Sequence, residues 1–124
     1  MSYFTRALEE LKPNSEWAVT GDQYSRLTWL DKNQTKPTEE ELNNKIQELK
    51  TAEPLRLLRE ERNKLISETD WTQLKDIDLD IIRERNWKNY RQALRDLPAK
   101  SNPKLNEYGR LDMKSVSWPD KPSS

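Results

Sequence analysis

Between Thr38 and Asp70 the sequence reads as one long helical run whose apolar residues do not stay on one face. Leu42, Ile46 and Leu49 are spaced i, i+4, i+7 and form a first narrow stripe. Leu55, Leu58, Leu65 and Ile66 form a second stripe. At about 100° per residue this second stripe points almost opposite to the first. The switch falls at Pro54, whose ring removes a backbone donor and bends or breaks a helix. A helix that changes its buried face needs two different neighbours. The run is therefore expected either as a kinked helix or as two helices meeting at Pro54, each half packed on a different part of the chain.

Those neighbours must come from the flanking segments. Phe4, Leu8 and Leu11 predict a short N-terminal helix stopped by Pro13. Trp17 and Val19, then Leu27 and Trp29, alternate around a Gly21-Asp22 break and predict a β-hairpin with a loop longer than two residues. A lone hairpin is marginal in water, so Trp17 and Trp29 must cover something else and are assigned to the core. Thr38 with Glu41 three residues on is a capping box that starts the long run. After the polar connector 69–80, Asp80 is the expected N-cap of a last helix. On it Trp87, Tyr90, Leu94 and Leu97 share a face with Ala93 beside them, and Pro98 lies beyond the expected end. With Leu58 and Leu65 these four residues complete the predicted core.

The apolar supply is thin: 32% of residues are hydrophobic and 35% charged. A small domain must bury most of such a supply to offset chain entropy. The five Trp and four Tyr argue against disorder, as does the balance of 22 Lys plus Arg against 22 Asp plus Glu. That balance leaves no global field to draw the chain to nucleic acid or an anionic membrane. There is no cysteine, no apolar run of membrane-spanning length and no signal-peptide core. A soluble protein made in a cytoplasm is expected.

The sequence offers little to an enzyme. It has no histidine and only two glycines, Gly21 and Gly109, so the usual general base and a glycine-rich phosphate cradle are both missing. Asp76, Asp78 and Asp80 open like a calcium loop, but Ile81 and Trp87 stand where the loop needs Gly and Glu. They are assigned to a solvated connector and a helix cap. No catalytic, cofactor-binding or metal-ligating residue is assigned, and no cofactor is expected. Trp87, Tyr90, Arg91 and Arg95 would suit stacking on single-stranded nucleic acid, but the two aromatic residues share the face of Leu94 and Leu97. Core packing is the favoured reading, with the arginines as rim groups.

The remaining anchors point to protein docking. The Pro-rich tail from Ala99 holds only Leu111, Met113, Val116 and Trp118 as sizeable apolar groups. It is expected to lie extended over its own domain or across another chain, with Trp118 and Pro119 filling a pocket. Trp71, at the corner before the last helix, is either an internal anchor or a partner contact. The assigned partner-binding residues are Trp71, Arg91, Arg95, Leu111, Met113, Val116, Trp118 and Pro119.

The stretch from Arg56 to Pro98 resembles the signature of phage tail assembly chaperone proteins: an Arg-rich helix, a T-D-W-T-Q connector, then W-x-x-Y-R-Q-A-L-R-D-L/I-P. Thr69 to Gln73 carry the connector, and Trp87 and Tyr90 to Pro98 carry the ending. Val116, Trp118, Pro119 and Pro122 are similar to the W-P-x-x-P ending of phage tail-fibre assembly proteins. The resemblance is firm over Leu55–Pro122 and looser upstream. Asp78 and Asp80 stand where the family often has Pro and Ser; an Asp cap preserves the helix start. The resemblance implies non-enzymatic assembly work in a host cytoplasm on phage tail or tail-fibre proteins. It leaves open a transient chaperone, a permanent virion adaptor between tail or baseplate and fibre subunits, and self-oligomers.

Together these readings predict a mainly α fold with a small N-terminal β-hairpin. Residues 1–36 hold the short helix and hairpin, 37–98 a kinked helical hairpin and 99–124 an extended tail. Neither a membrane nor, in the favoured reading, nucleic acid is a partner; a nucleic-acid adaptor is the third hypothesis.

Overall fold

The computed structural model describes residues 2–123 and is mainly helical with a two-stranded N-terminal hairpin. Helix α1 spans Tyr3–Leu11, and the Ser2 hydroxyl accepts the Thr5 N–H at its start. Phe4, Ala7 and Leu8, at i, i+3, i+4, are its buried face. Strands β1, Trp17–Val19, and β2, Leu27–Trp29, pair antiparallel with Trp17 opposite Trp29 and Val19 opposite Leu27. Gly21 in the intervening loop has φ +70°, a left-handed conformation that glycine adopts without a Cβ penalty. The turn after β2 is tied by Asp31. Its carboxylate accepts N–H bonds from Glu16 at 2.9 Å, Asn33 at 2.8 Å and Gln34 at 2.9 Å. These three bonds hold the Asp31 carboxyl below the usual carboxylate pKa, the bond from Glu16 contributing most.

Helix α2 spans Glu39–Ser67. The Thr38 hydroxyl oxygen accepts the Glu41 N–H at 3.1 Å, and its own proton faces Glu41 Oε1 at 3.2 Å. The second half of the expected capping box, a carboxylate on the Thr38 N–H, is replaced by this hydroxyl–carboxylate bond. Of the two expectations for the long run, two separate helices are not formed: α2 stays helical through Pro54. A proline removes the bond to the carbonyl four residues back, here that of Lys50. Leu49 before it and Leu58 after it pack in different clusters.

Contacts divide the chain into two compact units, Met1–Glu53 and Pro54–Ser124. The first part of α2 belongs to one and the rest to the other. In the first unit Phe4, Ala7, Leu8, Leu27 and Leu42 form a buried cluster. Trp17, Val19, Trp29, Ile46 and Leu49 pack half-buried around it. Arg6 donates to the buried Glu53 carboxylate at 2.8 Å.

The second unit has two clusters. Trp87, Tyr90 and Leu94 of helix α3, Ile81–Lys100, are buried against Leu65, Ile66, Trp71 and Leu79. Trp87 meets both Trp71 and Tyr90 edge-on, with ring centroids 5.2 and 6.0 Å away. Such pairs add about 0.5–1.5 kcal/mol beyond the area they bury. Burial, and then the charge of Glu68, push the Tyr90 phenol above its ordinary pKa. The other cluster joins Leu58 of α2, Leu97 of α3 and Val116 of the tail, with Leu111 and Trp118 against them.

Between the helices, a short 3-10 turn at Asp70–Gln73 is locked from α3. The Arg91 guanidinium is buried and donates to the Ile66 carbonyl at 3.3 Å, Thr69 Oγ1 at 2.6 Å and Asp70 Oδ1 at 3.1 Å. One side chain thus fixes the end of α2, the turn and α3 together. Helix α3 begins as expected, with Asp80 Oδ1 accepting the Arg83 N–H at 2.7 Å. It does not stop before Pro98 but runs one short stretch further, to Lys100. The Ser101 hydroxyl donates to the Leu97 carbonyl at 2.7 Å and so satisfies one of the carbonyls at the helix end.

The tail is not simply extended. Leu105 bridges Leu111 across a turn at Asn106–Gly109, where Gly109 has φ +75°. Asn106 Oδ1 accepts from the Tyr108 and Arg110 N–H groups. A 3-10 turn, Met113–Ser115, then delivers Val116 to Leu58 and Leu97.

Asp31 has a lowered folded-state pKa, so its contribution to stability is present above the ordinary carboxylate pKa and is lost as pH falls through the folded value. Asp31→Ala should therefore melt below wild type at neutral pH, and the gap should close on acidification, as followed by circular dichroism. In the second unit, Trp87→Ala should cost about 3–5 kcal/mol. Arg91→Ala should cost about 3 kcal/mol, because it leaves buried acceptors without their charged donor. Urea unfolding monitored by near-ultraviolet dichroism reads both, and an unshifted midpoint for Arg91→Ala would show that the clamp contributes nothing.

Candidate functional site

The most unusual surface of the second unit is its connector. Large exposed hydrophobic side chains are Leu30, Leu74, Ile77, Ile81, Ile82, Tyr108 and Met113. Four of these seven fall within the nine residues Leu74–Ile82. Ile81 is 77% exposed and Ile82 66%, which for isoleucine on a chain of mean hydropathy −1.17 marks a surface left bare.

Local structure explains the exposure. Trp71 is anchored edge-on to Trp87, and the Thr72 hydroxyl donates to the Thr69 carbonyl at 2.7 Å. Leu79 tucks against the aromatic cluster eight residues after Trp71. Between these anchors the chain must turn outward; the Ile77 N–H donates to the Leu74 carbonyl at 3.2 Å, and both side chains face solvent. Ile81 and Ile82 sit in the first turn of α3. At about 100° per residue Ile81 lies nearly opposite the stripe of Trp87, Tyr90, Leu94 and Leu97, and Ile82 a quarter turn from it.

Connector and helix enclose a cavity of about 540 Å³. Thr72, Gln73, Leu74, Lys75, Ile77 and Leu79 line one side, and Glu84, Trp87, Lys88, Arg91 and Arg95 the other. Cationic side chains outnumber the one carboxylate, that of Glu84. The Trp87 indole N–H is buried and has no acceptor among the described residues. This arrangement can hold a protein segment by apolar contact and charge. Among the described residues no group of acidic side chains could hold a metal ion, and no helix is long and apolar enough to cross a membrane.

The residues assigned to partners have diverse positions. Trp71 is half-buried beside Trp87. Arg91, expected as a rim group, is buried in the clamp, because its guanidinium has three acceptors within its own unit. Arg95 is exposed, with Gln92 Oε1 3.4 Å away. Val116 is buried, and Leu111 and Trp118 are half-buried on the same cluster. The Trp118 indole donates to the Met113 carbonyl at 3.1 Å, and Met113 itself is exposed. Pro119 borders a shallow hollow with Asn89, Tyr90 and Ala93 of α3. The tail therefore lies on its own unit. Of the residues assigned to the core, Leu58, Trp87, Tyr90, Leu94 and Leu97 are buried. Trp17, Trp29 and Leu65 are half-buried against their clusters.

Leu74, Ile77, Ile81 and Ile82 do not stand out in the sequence because the aspartates between them mark the connector as solvated. The available signal was the position of Ile81 and Ile82 off the apolar stripe of α3.

No curated protein and no solved structure matches the chain. The family described as phage tail assembly chaperone protein does match, over residues 55–123. The match starts one residue after the second unit begins and contains the turn, the connector, the cavity and the tail. Spanning more than half of the sequence and the whole of this surface, it establishes that the chain belongs to the phage tail assembly chaperone protein family.

Proposed function

We propose that this protein acts in phage tail assembly by binding a tail or tail-fibre subunit through the connector surface of its second unit. It covers an unfinished apolar face of that subunit in the host cytoplasm and releases it on oligomerisation, with no covalent step. The observation that carries this reading is the cluster of Leu74, Ile77, Ile81 and Ile82, bare on a chain short of apolar residues. Full burial of an aliphatic side chain is worth about 1.5–3 kcal/mol, so even partial coverage of four gives useful affinity. The aromatic cluster and the Arg91 clamp beneath would keep the surface in shape before the partner arrives, lowering the ordering cost of binding. The exposed Met113 and the half-buried Trp118 and Pro119 are a second contact region on the tail.

Co-expression with neighbouring tail genes followed by pull-down tests the proposal. Wild type should capture a tail protein. The fourfold variant Leu74→Ser, Ile77→Ser, Ile81→Ser, Ile82→Ser should lose at least nine-tenths of that capture while its melting temperature moves by no more than about 5 °C, as expected for surface substitutions. Undiminished capture by the variant would remove the connector from the interface. Mass spectrometry of purified particles decides the protein's fate: absence fits a transient chaperone, and stoichiometric copies a permanent adaptor.

A further inference from the structure

The connector cavity has a chemical preference as well as an apolar rim, and from it we infer that the segment bound there is acidic: a stretch of a partner chain carrying carboxylates between aliphatic residues. This deepens the proposed function and rests on it. Lys75 enters from the connector, and Lys88 and Arg95 from α3, about two helical turns apart. Among the described residues none of the three is in an ion pair, whereas the Arg91 guanidinium beside them is held by Asp70. Glu84 is the one carboxylate on the cavity wall. In a chain with equal numbers of acidic and basic residues, this is a local excess of positive charge.

Two further features separate a peptide from other anions. Leu74 and Ile77 form part of the wall, so an occupant must offer apolar side chains as well as charge. Nucleic acid satisfies the charge and leaves the aliphatic residues uncovered. The wall also contains Trp87, whose buried N–H lacks an acceptor among the described residues. Buried donors are rarely left unpaired, and an occupant whose carbonyl or carboxylate oxygen reaches this N–H would pair it. Charge on both partners would steer encounter and set orientation, while the aliphatic contacts hold the complex.

The test uses the full chain, immobilised, to select from a random dodecapeptide library. Asp and Glu should be enriched together with Leu and Ile. The best peptide, labelled with fluorescein, should bind at least tenfold more weakly to the variant Lys75→Glu, Lys88→Glu, Arg95→Glu, whose substitutions lie at exposed positions. It should also shift one of the five indole N–H resonances, the one lost in Trp87→Phe. No acidic enrichment, or equal affinity for the charge-reversed variant, would overturn the inference. Tighter binding of a single-stranded DNA oligonucleotide than of the peptide would replace it with a nucleic-acid site. Concentration-dependent dimerisation abolished by the charge reversal would replace it with a second copy of this chain. Pull-down keeps the two proposals apart. Tail-protein capture that survives charge reversal and fails in the fourfold Ser variant leaves the assembly role standing without an acidic partner. Acidic-peptide binding without any tail-protein capture does the opposite.

Discussion

The Arg91 guanidinium is the interaction on which the second unit depends. It is a charge taken out of water, tolerable because three oxygens from the end of α2 and the following turn receive its protons. All three contacts converge on one nitrogen, Nη1, whose two protons are shared among the three acceptors. With the turn pinned in this way, Trp71 is set against Trp87, and the connector leaves the core in a defined direction. The apolar residues of the connector are then presented by a scaffold instead of collapsing inward. A thin core and a bare surface are thus parts of one arrangement, in which a polar clamp does work that a larger protein would leave to apolar bulk.

Much of this architecture was legible in the residues. The stripe reversal around Pro54 said that one helical run serves two environments, and Leu42 and Leu58 are indeed buried in different clusters. Ser, Thr and Asp at helix starts have short side chains that reach a backbone N–H two or three residues on, which is why Asp80 could be named as a cap. What escaped depended on long-range geometry. Pro98 looked like a terminator, yet α3 continues past it to Lys100, without the bond that a residue there would give to the Leu94 carbonyl. Arg91 looked like a rim group because nothing in sequence shows that Thr69 and Asp70 come back beneath it. The candidate site was the least legible part. Leu74, Ile77, Ile81 and Ile82 are apolar, and apolar residues are by default assigned inward. Only the fold shows that the inward places are already taken by Trp71, Leu79 and Trp87.

The correspondence between family and architecture is close. The family match begins at residue 55 and the second unit at Pro54. The first unit has its own buried cluster from α1, the hairpin and the start of α2, and it lies outside the match. The part of the chain that carries the family identity is therefore also a packing unit, with the clamp, the cavity and the tail all inside it.

The edge-on meeting of Trp71 and Trp87 has a practical consequence. Two indoles at a centroid separation of 5.2 Å, one on the connector and one on α3, couple their electronic transitions. Their shared optical signal exists only while the connector stays seated. The molecule therefore carries its own gauge of whether that loop is in place, readable without a dye or a label.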